Sequence, residues 1–213
     1  MLLNFAAHYN ENADITTNGV AMTSMPVGKT VFLDNIFNAQ QWARLASLVD
    51  DIQSQPALLE NIAYGKGALK DKKFSLSLYK FIARQAGVSY INHSPYTKIL
   101  QDIIQDSPLI PQISAIAQKP ITLLRMQLNV MTEGGYVGCH KDDESDNAYL
   151  CSVLIRIGKN YTGGAFVIYD EKGEATCIDQ DDRTILVMSA KSPHEVKTVW
   201  SGVRHTICLF CGE

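Results

Sequence analysis

Ile-Thr-Leu-Leu-Arg-Met-Gln-Leu-Asn-Val-Met, residues 121–131, is the stretch on which the reading of this chain turns. Arg125, Gln127 and Asn129 alternate with Leu124, Met126, Leu128 and Val130. A period of two with polar side chains on one side predicts a strand with a polar and an apolar face. More short strands follow at 149–157, 164–169, 175–179, 184–188, 195–200 and 203–210. Between them stand Gly-Lys-Asn, Asp-Glu-Lys-Gly, Asp-Gln-Asp-Asp and Trp-Ser-Gly. Closely spaced strands joined by such turn residues predict a sandwich or a barrel.

Upstream of residue 121 the texture changes. Residues 38–54 (NAQQWARLASLVDDIQS) set Trp42, Leu45, Leu48, Val49 and Ile52 at helical spacing, with Asn38 as a cap. Thr30 to Phe37 reads as an edge strand. Residues 75–86 and 95–105 carry helical patterns, and Pro108, Pro111 and Pro120 punctuate the region. Residues 60–74 (ENIAYGKGALKDKKF) are polar and glycine-bearing and predict an exposed loop. No linker or repeat divides the chain. The expectation is one domain over 1–213, with helical support at about 30–120 bracing a strand-rich core at about 121–213.

Composition narrows the class. The 213 residues are 46% hydrophobic and 19% charged, which excludes a disordered or fibrous chain. A net charge of −3 and a pI near 5.9 lack the basic footprint of a nucleic-acid binder. No apolar run reaches a membrane span, and Met1 to Asn10 has no basic residue ahead of an apolar core. Cys139, Cys151, Cys177, Cys208 and Cys211 are odd in number and predict free thiols in a reducing, cytoplasmic compartment. Cys208 and Cys211 form a C-x-x-C without a second ligand pair or a helix start, and read as small buried side chains on a terminal strand.

Chemistry concentrates in the strand-rich part. His140-Lys141-Asp142 follows Gly134-Gly135-Tyr136-Val137-Gly138-Cys139. In an extended segment residues i and i+2 project to one side, so His140 and Asp142 can offer a nitrogen and a carboxylate oxygen to one ion. His194, in Ser-Pro-His-Glu-Val (192–196), supplies a third ligand. Two histidines and one carboxylate on one face leave three positions open, which suits Fe(II) that must bind a cosubstrate and O₂. Arg204 stands ten residues after His194, and Arg204, Thr206, Cys208 and Phe210 share a face of the last strand. A guanidinium beside a hydroxyl is a fork for a carboxylate.

These pieces resemble the Fe(II)- and 2-oxoglutarate-dependent dioxygenases, prolyl-4-hydroxylase-like branch. The matching runs are 134–142 (GGYVGCHKD), 161–166 (YTGGAF), 193–196 (PHEV) and 201–204 (SGVR), in order between about 123 and 210. The resemblance implies an α+β fold, mainly β: a double-stranded β-helix (jelly-roll) core buttressed by N-terminal helices. It implies Fe(II) on His140, Asp142 and His194, and 2-oxoglutarate on Arg204 with Thr206 adding a hydrogen bond. O₂ is the further cosubstrate and ascorbate a supporting reductant. Relatives carry a cosubstrate-touching tyrosine where this chain has Met131, and Gln127 or Asn129 stands in for it. Asp182-Arg183 occupies a place where a glycine is common.

Several residues have two readings. Arg125 shares the polar face with Gln127 and Asn129, and meets either a substrate carboxylate or an ordinary ion-pair partner. Tyr136 and Trp200 line the mouth or pack at its rim. Asp143, Glu144 and Asp146 read as a solvated loop rather than a seat for a cationic substrate. Gly163 and Gly164 read as turn architecture, and His8, His93 and His205 as structural. Asp142 argues against a halogenase-like relative, and Phe210 stands where a nucleic-acid demethylase carries a second arginine. The expected activity is hydroxylation of an unactivated C–H bond of a free amino acid or small metabolite, releasing succinate and CO₂. A prolyl or other peptidyl substrate is the alternative, and a non-catalytic metal- or ligand-binding jelly roll is the rival of another class. The partner is therefore a small-molecule or peptidyl substrate, with no nucleic acid and no membrane.

Overall fold

A computed structural model describes residues 26–64, 73–178 and 181–213. Its elements run β1 (Thr30–Leu33), α1 (Ala39–Gln53), β2 (Glu60–Tyr64), β3 (Lys73–Gln85), β4 (Val88–Ile91), α2 (Pro95–Gln105), α3 (Leu109–Ala117) and β5 (Thr122–Met131). They continue with β6 (Tyr136–His140), β7 (Cys151–Ile157), β8 (Tyr161–Gly163), β9 (Phe166–Tyr169), β10 (Ala175–Ile178), β11 (Ile185–Ser189), β12 (His194–Val196), β13 (Val199–Gly202) and β14 (Arg204–Gly212). Twelve strands form one curled antiparallel sheet in the order β1-β11-β7-β14-β5-β3-β6-β12-β9-β10, with β2 and β4 also on β3, and β8 and β13 pair as a separate two-stranded sheet. β3 makes the curl. Its later part pairs with β5 from Ser77 to Ile82, and its start pairs with β6 at Phe74 and Ser75. The sheet thus closes over itself as a jelly roll, as the resemblance implied.

Two apolar layers hold it. Outside the main sheet, Leu45, Leu48 and Ile52 of α1 and Leu100, Ile103 and Ile104 of α2 pack against Met126, Leu128, Val153, Ile155, Ile207 and Leu209. Full burial of each such side chain stabilises by about 1.5–3 kcal/mol. The second layer, Leu154, Phe166, Ile168, Met188, Val196, Cys208 and Phe210, lies inside the roll. β7 and β14 are buried along their whole length because they sit between the layers. α1 starts where expected: Asn38 Oδ1 accepts the Gln41 N–H and Gln41 Oε1 accepts the Asn38 N–H, both at 2.9 Å.

The structure corrects three expectations. Residues 75–85 belong to strand β3, not a helix, and Ala86 lies in the turn that follows. With Tyr79, Phe81 and Ile82 on the helix layer and Leu78 toward the interior, both faces are covered and the alternation is lost. Of the expected loop 60–74, residues 60–64 are strand β2, 73–74 open β3, and 65–72 lie outside the described residues. The region before 121 is therefore not only helical support, since it adds strands β1 to β4 to the sheet. His8 also lies outside the described residues. No described helix is long and apolar enough to cross a membrane.

His205 faces the helix layer, opposite Arg204, and is buried. Burial and the charge of Arg156 push its pKa down to about 4, against a smaller upward pull from Asp50. The unfolded side chain takes a proton near pH 6.5 and the folded one only near pH 4. Between those values the unfolded state binds more protons, so stability falls as pH falls. The expected loss between pH 6.5 and pH 4 is about 3 kcal/mol from this group. Urea titrations across that range check it: His205→Leu should flatten the slope by roughly that amount.

Candidate metal centre and anion anchor

β6 and β12 pair so that His140 and His194 stand directly opposite each other, with ring centroids 4.3 Å apart. His140 donates Nδ1–H to Gly138 O and His194 donates Nδ1–H to Ser192 O, each at 2.9 Å. Those acceptors set the tautomer and turn both Nε2 atoms toward Asp142. His140 Nε2 lies 3.4 Å from Asp142 Oδ1, and His194 Nε2 lies 3.8 Å from Oδ2. The three ligand atoms fall within 4.8 Å of one another. Lys141 between them is extended (φ −117°, ψ 144°), which puts His140 and Asp142 on one side.

Asp142 opens a single 3-10 turn, pinned by its own N–H and that of Asp143 on Ala190 O (3.0 and 3.2 Å). Ser152 of β7 donates Oγ–H to Asp142 Oδ2 at 2.5 Å. Burial pulls the Asp142 carboxyl up, but the charge of His194, the hydrogen bond and charge of His140 and the Ser152 hydroxyl outweigh it. The carboxyl is held well below its ordinary range. Those hydrogen bonds and charges belong to the protonated imidazoles; once each Nε2 gives up its proton, two Nε2 lone pairs and a buried, ionised carboxylate are the donor set a divalent ion such as Fe(II) takes.

The second cluster lies on the same inner face. Arg204 and Thr206 of β14 sit beside Arg156 of β7 and opposite Met131 and Asn129 of β5. Arg204 donates Nε–H to Gly164 O at 3.0 Å and Nη1–H to Thr206 Oγ1 at 2.8 Å. Arg156 donates to the same Oγ1 at 3.1 Å and also to His205 O. Arg156 is 0% and Arg204 1% exposed. Burial and the neighbouring Arg156 bring the Arg204 pKa down to about 9, with Tyr161 opposing the fall. Two buried guanidiniums around one hydroxyl form an anchor for an anion, and a dicarboxylate fits that excess of positive charge.

Both clusters open on one cavity of about 570 Å³. It is lined on the triad side by Phe166 and Val196, on the anchor side by Asn129 and Met131, and across by Ile62, Leu76 and Leu78. Residues 60–62 of the segment expected as a loop thus form wall as a strand. Gln127, Asn129 and Arg125 line the cavity. Tyr136 and Trp200 are not among its lining residues, and Trp200 is 71% exposed on β13. Asp146 pairs with Arg84 at 2.6 Å and is taken up in structure. Cys208 lines the cavity, and burial with the charge of Asp142 pushes its thiol up to about 12. Cys151 and Cys211 hydrogen-bond each other inside the core, and no described cysteine is in a disulfide.

Ser152, Arg156 and Tyr161 were missed by the sequence reading. The signal was there: Cys-Ser-Val-Leu-Ile-Arg-Ile (151–157) is an apolar strand broken only by Ser152 and Arg156, which share a face. Tyr161 hydrogen-bonds both arginines and lies under Arg156, with the guanidinium 4.7 Å from its ring centroid. It brings a phenol to the anchor from a different strand than the one that ends in Met131. Gly164 is more than a turn. A Cβ there would stand 2.9 Å from Arg204 Cδ, so glycine lets its carbonyl reach Arg204 Nε. Arg183, where a glycine was expected, adopts φ 61°, the left-handed conformation that glycine takes without strain.

No family model matches the chain. A PKHD-type hydroxylase of Idiomarina loihiensis is 28% identical over 113 residues, 51% of this chain and 49% of the relative. The chain therefore matches about half the length of that protein. Among solved structures, an oxidoreductase of the 2OG-Fe(II) oxygenase family from Burkholderia pseudomallei superposes with a TM-score of 0.72 at 23% identity, covering 86% of this chain and 84% of that one. A prolyl hydroxylase from Trichoplax adhaerens, in complex with a peptide fragment of a hypoxia inducible factor oxygen degradation domain, gives 0.60 at 16%, covering 86% and 83%. The chain thus has the jelly-roll fold of these 2OG-Fe(II) oxygenase and prolyl hydroxylase structures, and over about half of its length it is similar in sequence to a PKHD-type hydroxylase.

Proposed function

We propose that this chain is an Fe(II)- and 2-oxoglutarate-dependent dioxygenase that hydroxylates an unactivated C–H bond of a free amino acid or small metabolite, releasing succinate and CO₂. The observation that carries the reading is that the His140–Asp142–His194 cluster and the Arg204–Thr206 anchor open on one cavity. His140, Asp142 and His194 would hold the iron, which when bound supplies the O₂-activating redox chemistry that side chains lack. Gly138 O and Ser192 O orient the two imidazoles, and Ser152 holds the carboxylate. Arg204 would pair with the far carboxylate of 2-oxoglutarate. Phe166, Val196 and Leu154 present apolar walls that keep water from the reacting atoms.

Arg156 has its own part. Thr206 Oγ1 accepts from both Arg204 and Arg156, which occupies both of its lone pairs. Both partners are donors only, so the Thr206 hydroxyl hydrogen is directed at neither and is available to a carboxylate in the cavity. Arg156 thus positions Thr206 as a donor. Thr206→Val and Arg156→Gln are each expected to weaken 2-oxoglutarate binding about tenfold, the worth of a hydrogen bond to a charged group. The double variant should lose little more, because one acts through the other. Calorimetry of the Mn(II)-loaded proteins decides, and additive losses would separate the two roles.

The function itself is tested with purified protein, Fe(II), ascorbate and 2-oxoglutarate against amino acids, small acids and peptides. Succinate release together with a product heavier by one oxygen atom is the expected result. The reading fails if 2-oxoglutarate neither binds nor is consumed. The Trichoplax relative is described with a bound peptide, so a peptidyl substrate is the second reading, and product in the peptide arm alone would select it. Binding of metal and 2-oxoglutarate without any product in either arm would leave a non-catalytic jelly roll.

A further inference from the structure

β5 turns Arg125, Gln127, Asn129 and Met131 to the cavity, opposite Phe210, Cys208, Thr206 and Arg204 of β14. Arg125 and Arg204 therefore mark opposite ends of one row, about 20 Å apart along the strands at roughly 3.3 Å per residue. The metal cluster belongs to the Arg125 end, because Ser152, which holds Asp142, is the register partner of Phe210.

Arg125 is fixed there by neutral partners. Its guanidinium lies 5.1 Å from the Phe210 ring centroid and hydrogen-bonds the phenol of Tyr149, whose ring stacks on Phe210. Among the described residues no carboxylate lies within ion-pair distance of it. The Asp146 carboxylate of the adjoining loop is held by Arg84. A planar fork held by an aromatic face and a phenol keeps its charge for a carboxylate guest.

Gln127 adds a second demand. Cys208 donates S–H to Thr206 O, Asn129 donates Nδ2–H to Cys208 Sγ at 3.3 Å, and Gln127 donates Nε2–H to Asn129 Oδ1 at 2.7 Å. This relay sets the amide orientations. It leaves Gln127 Oε1 buried with no hydrogen-bond partner. That atom is an acceptor and needs an N–H or O–H. The 2-oxoglutarate dianion carries acceptors only, so it cannot satisfy Gln127 Oε1; a water or the N–H or O–H of a second ligand can.

We infer that Arg125 and Gln127 form the seat for the head of a free α-amino acid, its carboxylate on the Arg125 guanidinium and its ammonium on Gln127 Oε1. The inference rests on the dioxygenase reading and narrows its substrate. It also moves Gln127 from the cosubstrate side, where the sequence placed it, to the substrate side. A residue inside a peptide chain offers neither group, so the free acid is the guest that answers both.

The experiment uses protein loaded with Mn(II) and saturating 2-oxoglutarate under nitrogen. It is titrated calorimetrically with the common L-amino acids and with their methyl esters. At least one acid should bind, and its ester at least about tenfold more weakly. Arg125→Gln and Gln127→Leu should each weaken that acid by about tenfold or more while 2-oxoglutarate affinity holds. Arg125→Lys, which keeps the charge without the fork, should fall between wild type and Arg125→Gln. If no acid outbinds its ester, or Arg125→Gln binds acids like wild type, the seat is overturned. Joint loss of acid and 2-oxoglutarate binding in all three variants overturns it as well. Failure of wild type to take up 2-oxoglutarate in the loading step defeats the dioxygenase reading instead.

Discussion

His140→Ala protein is expected to bind divalent metal more than about 100-fold more weakly and to release no succinate above background. Loss of partners that merely orient metal ligands costs about 10- to 100-fold, so loss of a ligand exceeds that range. His140 contributes twice. Its Nε2 faces Asp142 Oδ1 at 3.4 Å, and in its protonated form its hydrogen bond and charge help keep the Asp142 carboxyl ionised against burial. Without it, Asp142 and His194 form a two-ligand remnant with a weakened carboxylate. The His140 side chain is only 11% exposed, but it packs against His194 rather than into the main apolar layers. The thermal midpoint of the metal-free variant should therefore stay near that of metal-free wild type. Calorimetry with Mn(II), beside a melting curve, separates lost metal from lost fold. Full activity in this variant would overturn the assignment of the metal centre.

Arg204→Gln is expected to leave metal affinity unchanged and to weaken 2-oxoglutarate by at least about 30-fold. Truncating one partner of a buried charge pair costs about 2–5 kcal/mol, and 1.4 kcal/mol is a factor of ten. The site is buried, so water replaces little of the loss: Arg204 is 1% exposed and its Nε is seated on Gly164 O. Arg156 tempers the effect, since a second guanidinium remains beside Thr206. Raised 2-oxoglutarate requirement at unchanged metal affinity is the signature to measure. The opposite split, with metal lost and 2-oxoglutarate kept, would reassign Arg204.

How much of this was readable beforehand depended on what carried the signal. His140 and Asp142 were visible because an extended Lys141 makes i and i+2 share a side, a property of local backbone alone. Arg204 was visible by its spacing of ten residues from His194, and Thr206 by sharing a face with Arg204 on β14. β3 was misread because its two covered faces put Leu78, Tyr79, Phe81 and Ile82 in a run that imitates helical spacing. Ser152, Arg156 and Tyr161 acquire their roles through cross-strand neighbours. Ser152 meets Asp142 and Arg156 meets Thr206 only once the sheet has curled.

Local patterning sufficed for the strand-rich half, the capped first helix and the shared side of His140 and Asp142, because each follows from residue spacing and backbone geometry. Register and curl supplied the rest. They set His140 opposite His194, gathered two buried arginines on one hydroxyl, and left Arg125 and Gln127 lining the same cavity as the His140–Asp142–His194 cluster. Such placements depend on which strands become neighbours, and long-range pairing is a property of the packed sheet rather than of any one segment.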